Sequence, residues 1–221
     1  MIEARGDQDL IAQPILKVDH VSVVGSATWG VSLRGSGAFT ADSQALTITG
    51  SAKEAMRILP RLATNIPSGS YTGNAVNAIM VETEAYGDVN LEDVTFHNRG
   101  VPYHVGGPNT FGTLRVGSNP VALTIEAGVT MAFSSTGTLS TVSNNGSTGA
   151  IVAAGSATQP IIFTSVSPTS ESLRICSISR RSSCSCHSAL RRFHRSRTVR
   201  GRNVGYTCRS GRRSSSGPSR M

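Results

Sequence analysis

The sequence predicts an all-β chain built as a β-solenoid. From Val121 to Ser165, short β-branched and apolar runs alternate with Gly, Asn, Ser and Pro, and no run is long enough for a helix. The order strand, small residue, Gly, strand occurs twice there, as LTIEAG-VTMAF and as AIVAAG-SATQPIIF, which sets Gly128 and Gly155 27 positions apart. A period of roughly 20 to 50 residues marks a repeat array, in which each coil buries its apolar residues only by stacking on the next. The corners fall on single Gly or Gly-Ser. A sandwich would instead want hairpin turns between strictly alternating strands.

Taken in order, residues 1–20 read as the exit of a coil. Ile11, Ile15, Leu16 and Val18 offer apolar contacts and Pro14 breaks any helix. His20–Val24, Trp29–Leu33 and Ala45–Gly50 read as strands, separated by Gly25 and by Gly35-Ser36-Gly37. Ser51–Leu62 is ambiguous, because Glu54, Ala55, Met56, Arg57 and Leu59 favour a helix while Pro60 cuts it short. Met56–Leu59 is taken as a strand. Pro67-Ser68-Gly69-Ser70 and Gly73-Asn74 read as turns, Ala78–Thr83 as a strand, and Gly87-Asp88 as a turn. Asn65–Gly100 reads as a link between two blocks.

The second block starts at Val101 and runs through Leu123–Ile125, Val129–Phe133, Thr138–Val142, Ile151–Ala153 and Ile161–Thr164. Asn145-Gly146 marks a tight turn, which also accounts for the glycosylation sequon Asn145-Gly146-Ser147. Parallel strands stacked about 4.8 Å apart are expected. Leu123, Ile125, Val129, Met131, Phe133, Ile151, Ile161 and Phe163 should face inward. The stretch LTIEAGVTMAF…AIVAAGSATQPIIFTS resembles the right-handed parallel β-helix modules of bacterial secreted and surface proteins. Pro102-Tyr103-His104-Val105 matches their opening segment, and Ala127 stands where their pattern has Pro. The resemblance covers Val101–Ser165 and, more loosely, Val21–Gly50. It implies a β-helix fold and an extracellular or cell-surface parent. It says little of activity, because such coils host many.

The formal net charge of +8 is unevenly placed. Residues 1–170 hold 8 Lys and Arg against 12 Asp and Glu, whereas residues 171–221 hold 13 Arg, no Lys and only Glu171. All four cysteines, Cys176, Cys184, Cys186 and Cys208, fall in that last stretch. Three parts follow: 1–100, the end of one β-helix block with its link; 101–169, the start of a second; and 170–221, an Arg/Ser/Cys-rich tail. The tail shows neither a strand nor a helix period and reads as disordered or irregular, consistent with out-of-frame translation of a G+C-rich gene. Its alternative is a basic arm that binds nucleic acid. Met1–Gln13 has no apolar core of a signal peptide, and no membrane-spanning run occurs. The unpaired coil ends predict self-association.

For chemistry, the acidic cluster Glu82, Glu84, Asp88, Glu92 and Asp93 is the best candidate. Glu82 and Glu84 would share a strand face, and Asp88 and Asp93 could join them around a Ca²⁺, which takes six to eight oxygens. The alternative is a solvated acidic face. β-Helix polysaccharide lyases, to which the resemblance extends in fold, use carboxylates, Ca²⁺ and a base; Arg99 is the only nearby candidate for the base, and no matching motif is present. His97 and His104 lack a third zinc ligand. The C-x-C-H of Cys184–His187 is not a standard finger spacing. Trp29, Tyr71, Tyr86 and Tyr103 could stack on sugars or simply pack. No nucleophile elbow, phosphate loop or dinucleotide fingerprint occurs. The expected role is a structural or polysaccharide-binding scaffold. The alternatives are a carbohydrate-active enzyme of the same fold and a nucleic-acid-binding tail.

Overall fold

A computed structural model describes residues 1–5, 14–83, 88–89, 93–106, 112–117, 121–135, 137–144, 147–167, 174–178 and 185–188. The chain winds as a parallel β-solenoid, coil upon coil. The first coil holds β1 (Ile2–Arg5), β2 (Ile15–Leu16) and β3 (Asp19–Val24). The next holds β4 (Val31–Arg34), β5 (Ala38–Phe39) and β6 (Gln44–Thr49). In the third, β7 (Glu54–Ile58) is followed by a 3-10 helix, Pro60–Asn65, and by β8 (Gly69–Ser70). Then come β9 (Val76–Val81), β10 (Asp88–Val89) and β11 (Val94–Phe96), and after them β12 (Tyr103–Val105), β13 (Thr113–Gly117) and β14 (Ala122–Ile125). β15 (Thr130–Phe133), β16 (Thr138–Asn144), β17 (Ser147–Thr148) and β18 (Ala150–Ala153) form the following coil. β19 (Ile162–Ser165), β20 (Arg174–Ile178) and β21 (Ser185–Ser188) complete the strands among the described residues.

One seven-stranded sheet, in the order β1-β4-β7-β9-β12-β15-β19, runs the length of the stack. Its register aligns Ile2, Val31, Met56, Ile79, Tyr103, Met131 and Phe163 in a single column. Successive members of the column are therefore 23 to 32 residues apart, which is the length of a coil. The five middle members are fully buried. Each such side chain contributes about 1.5–3 kcal/mol relative to exposure, so the column is a continuous spine of the core.

The expected strands of Val121–Ser165 are present and parallel. β14 pairs with β18, β15 with β19, and β16 with β13 and β20 rather than with its chain neighbour β15. Leu123, Ile125, Val129, Met131 and Phe133 are buried, while Ile151, Ile161 and Phe163 pack partly buried against the core. The antiparallel pairing of β16 with β17 flanks Asn145-Gly146, which itself lies outside the described residues.

Three local readings are corrected. Gly69-Ser70 is a strand, not a turn, because Gly69 lets the backbone press against Leu46: an added Cβ would clash with the Leu46 carbonyl oxygen. Asp88 begins a short strand paired to β13 rather than a turn. Leu59 is not in a strand; it precedes Pro60, whose fixed φ suits the first position of the 3-10 helix.

That helix marks a change of plan. The face β2-β5 is not continued past it, the face β3-β6-β8 ends with β8 directly after it, and the faces β10-β13-β16 and β11-β14-β18 begin beyond. The long sheet passes through without a break. The 3-10 helix packs against β5 on one side and β11 on the other, and Thr64 Oγ1 accepts the backbone N–H of Thr95 at 2.9 Å. Of the Arg/Ser tail, the described residues give only the backbones of β20, parallel to β16, and β21, antiparallel to β20. The readings placed on Cys184 and Cys208, and on the tail as a whole, lie outside the described residues or rest on side chains that are not described. Among the described residues, no helix is long and apolar enough to cross a membrane.

Candidate functional site

The acidic cluster does not converge on one point among the described residues. Glu82 leaves β9 on the long sheet, and its carboxylate receives the Arg57 guanidinium. Asp93 stands at the entrance to β11 on another face, where its Oδ1 accepts the backbone N–H of Ala122 at 2.7 Å. It thereby joins one coil to the next. Asp88 is placed by its backbone alone, and Glu84 and Glu92 lie outside the described residues. No group of three His, Cys, Asp or Glu residues able to hold a metal occurs among the described residues. His97 and His104 also separate, each beside its own carboxylate, Glu126 and Glu54.

What the fold does assemble is a polar and aromatic cluster on the outer face of the long sheet. Alternation along the strands turns Met56, Ile79 and Tyr103 inward and so turns Arg57 and His104 outward. Trp29 Nε1–H donates to Glu54 Oε2 at 3.1 Å. Lys53 Nζ lies 4.2 Å and the Arg57 guanidinium carbon 4.7 Å from the indole centroid, both in cation–π range. His104 Nδ1 lies 3.7 Å from Glu54 Oε1. The side chains of Glu54, Arg57, Glu82 and His104 are each less than a fifth exposed. His104, and with it the Trp29 indole, holds the Glu54 carboxyl below its ordinary value although burial opposes this.

Coil length is the signal for these partners. Trp29 and Glu54 are 25 residues apart, as are Arg57 and Glu82. The same spacing joins Lys17 to Asp42, Asp19 to Gln44 and Thr113 to Thr138. The sugar-stacking expectation separates likewise. Tyr71 and Tyr103 are fully buried, with their hydroxyls donating to the Pro67 and His97 carbonyls at 2.5 and 2.7 Å. Burial pushes both phenols up. The Trp29 ring is flanked by its two cations, and Tyr86 lies outside the described residues.

A second locus lies at the 3-10 helix, where the faces change over. There a groove of about 340 Å³ opens between the Ala41–Gln44 turn, the end of the helix and the residues just after β11. His97 and Arg99 line it. His97 Nδ1 bonds Glu126 Oε1 at 2.7 Å, and Glu126 Oε2 accepts the Asn98 backbone N–H at 3.0 Å. Desolvation pushes the Glu126 carboxyl up, but these two bonds outweigh it and the net shift is downward. Arg99 donates from Nε and Nη2 to the Ile66 carbonyl at 3.0 and 2.5 Å.

The chain matches no protein-family model, no curated protein and no solved structure.

Proposed function

We propose that the chain is a scaffold: a β-solenoid segment of a bacterial extracellular or surface protein that offers its outer strand faces to a polysaccharide. The observation that carries this is the state of the outer face of the long sheet. Its carboxylates are already engaged across rungs, Glu82 by Arg57 and Glu54 by Trp29 and His104. Such a face is rigid, flat and pre-ordered, as a binding platform or spacer requires.

A glycosidase or lyase remains the rival. It would draw on Glu54 and Glu82, two carboxylates in one cluster, but hydrolysis needs a pair free to exchange protons with a substrate. Here one carboxylate is held by a guanidinium and the other by an indole N–H. The test is affinity electrophoresis of the full chain through gels containing acidic or neutral polysaccharides, with polymer length measured afterwards. Retardation with unchanged polymer length is expected. Shortened polymer or unsaturated ends would overturn the scaffold reading in favour of the enzyme, and no retardation by any polymer would remove its polysaccharide ligand.

A further inference from the structure

The groove at the change-over has the chemistry of a ligand site. It exists because the 3-10 helix Pro60–Asn65 takes the place of a strand, so the face that holds β5 is not continued and a notch is left against the end of β11. Its volume, about 340 Å³, lies in the range of small-ligand pockets. Its lining is hydrophilic, including Asn65, Ser68, His97 and Arg99.

Arg99 is a half-buried cation held in a fixed pose. Two of its nitrogens donate to the same carbonyl, that of Ile66, which orients the guanidinium plane. No carboxylate forms an ion pair with it among the described residues, whereas Lys17 and Arg57 each have one. A partly desolvated cation with a spare donor edge gains most from an oxyanion, which accepts two parallel hydrogen bonds. His97 is oriented as well. Its Nδ1 faces Glu126 Oε1 at 2.7 Å, which leaves Nε2 as the ring nitrogen not engaged by that carboxylate. The side chains of Asn65 and Ser68 have no hydrogen-bond partner among the described residues and add an amide and a hydroxyl. Asp42, also on the rim, is neutralised by Lys17 at 2.5 Å. One oriented cation beside polar donors and acceptors, with the Asp42 carboxylate on the rim already paired to Lys17, matches one acidic group on a polyhydroxylated ring.

We infer that this notch binds one residue of an anionic saccharide, its carboxylate or sulfate on Arg99 and its hydroxyls on Asn65, Ser68 and His97 Nε2. The inference names the ligand class and its place, and so rests on the polysaccharide-binding reading.

The test is calorimetric titration of the full chain with three probes: an oligogalacturonate, a sulfated galactose oligomer and a neutral galactose oligomer. At least one anionic oligomer should bind, more weakly as salt rises, with the neutral oligomer about tenfold weaker or worse, as expected for losing a charge-assisted hydrogen bond. The stronger of the two anionic probes identifies the acidic group. Arg99→Gln should lower anionic binding to the neutral level, and Asn65→Ala with Ser68→Ala should weaken it while leaving the Arg99–Ile66 bonds intact. The His97 ring resonances of the unaltered protein should shift with the anionic oligomer, which serves as the readout if Arg99→Gln fails to fold. Equal affinity for neutral and anionic oligomers would overturn the inference. Undiminished anionic binding by a folded Arg99→Gln chain, or binding that leaves His97 unmoved, would overturn the notch while sparing the scaffold reading. If no oligomer binds, the notch falls, and retardation by the longer polymers then decides the polysaccharide-binding reading by itself.

Discussion

Ile79 sits at the centre of the inward column, fully buried, with Met56 on one neighbouring rung and Tyr103 on the other. Ile79→Ala removes three carbons from a site that cannot collapse easily, because the rungs above and below are fixed by backbone ladders. Such truncations cost about 2–5 kcal/mol. The same substitution at Ile162, which points outward from β19 and is 48% exposed, should cost less than about 0.5 kcal/mol. Urea unfolding followed by circular dichroism gives both values, with the slope expected to stay constant. A double-mutant cycle then tests the stacking itself. Met56→Ala with Ile79→Ala, on adjacent rungs, should depart from additivity by about 0.5 kcal/mol or more. Met56→Ala with Met131→Ala lie three rungs apart, roughly 14 Å at a spacing of about 4.8 Å, and should add. Equal costs at Ile79 and Ile162, or coupling that ignores rung distance, would refute the column.

Three further outcomes follow from the same coils. Glu54 has its carboxyl lowered from 4.5, first by His104. A depressed carboxyl stabilises the fold above its unfolded value and loses that contribution as pH falls through the folded value. The unfolding midpoint should therefore drop below about pH 4.5, and His104→Gln should flatten that drop; an unchanged acid limb in the variant would refute the coupling. Ala45 holds a positive φ of 53°, so Ala45→Gly should raise the urea midpoint by an amount worth about 0.5–1 kcal/mol, and a lowered midpoint would count against relief of strain there. Gly50 has φ 69°, and Gly50→Ala should go the other way by about 1–2 kcal/mol; a neutral result would mean the corner can adopt another turn.

The fold was legible because a solenoid writes its corners into the sequence. Gly128 and Gly155 show the repeat, and the structure extends it backwards. Gly25, Gly50, Gly73, Gly100 and Gly128 each leave a coil with φ between 69° and 80°, one corner per turn. Only glycine takes that conformation without penalty, so the corner survives when the strands around it vary. The spacing was harder to see because coil length drifts. Gly128 N–H bonds the carbonyl of Gln159, so the chain between Gly155 and Gln159 forms an excursion that displaces the last visible repeat. In the sequence His20 and Ala45 look like plain strand residues. Both adopt φ 53°, one coil apart, at the same point of entry into their face, and neither residue type announces it.

The candidate site was less legible for a related reason. Grouping Glu82, Glu84, Asp88 and Asp93 assumes that nearness in sequence means nearness in space. In a solenoid a dozen residues are half a coil, enough to carry Asp93 to a different face from Glu82. The residues that meet lie one coil apart, or two as for Glu54 and His104, and at 25 positions Arg57 finds Glu82 and Trp29 finds Glu54. Arg99 breaks that rule. It reaches Ile66, 33 positions back, because the 3-10 helix interrupts the regular stack at that point. A site made by repetition would recur in every coil, as the inward column does. The groove at Arg99 occurs where the repetition fails, and a single specific ligand is better matched to such a place than to a face that the next rung copies.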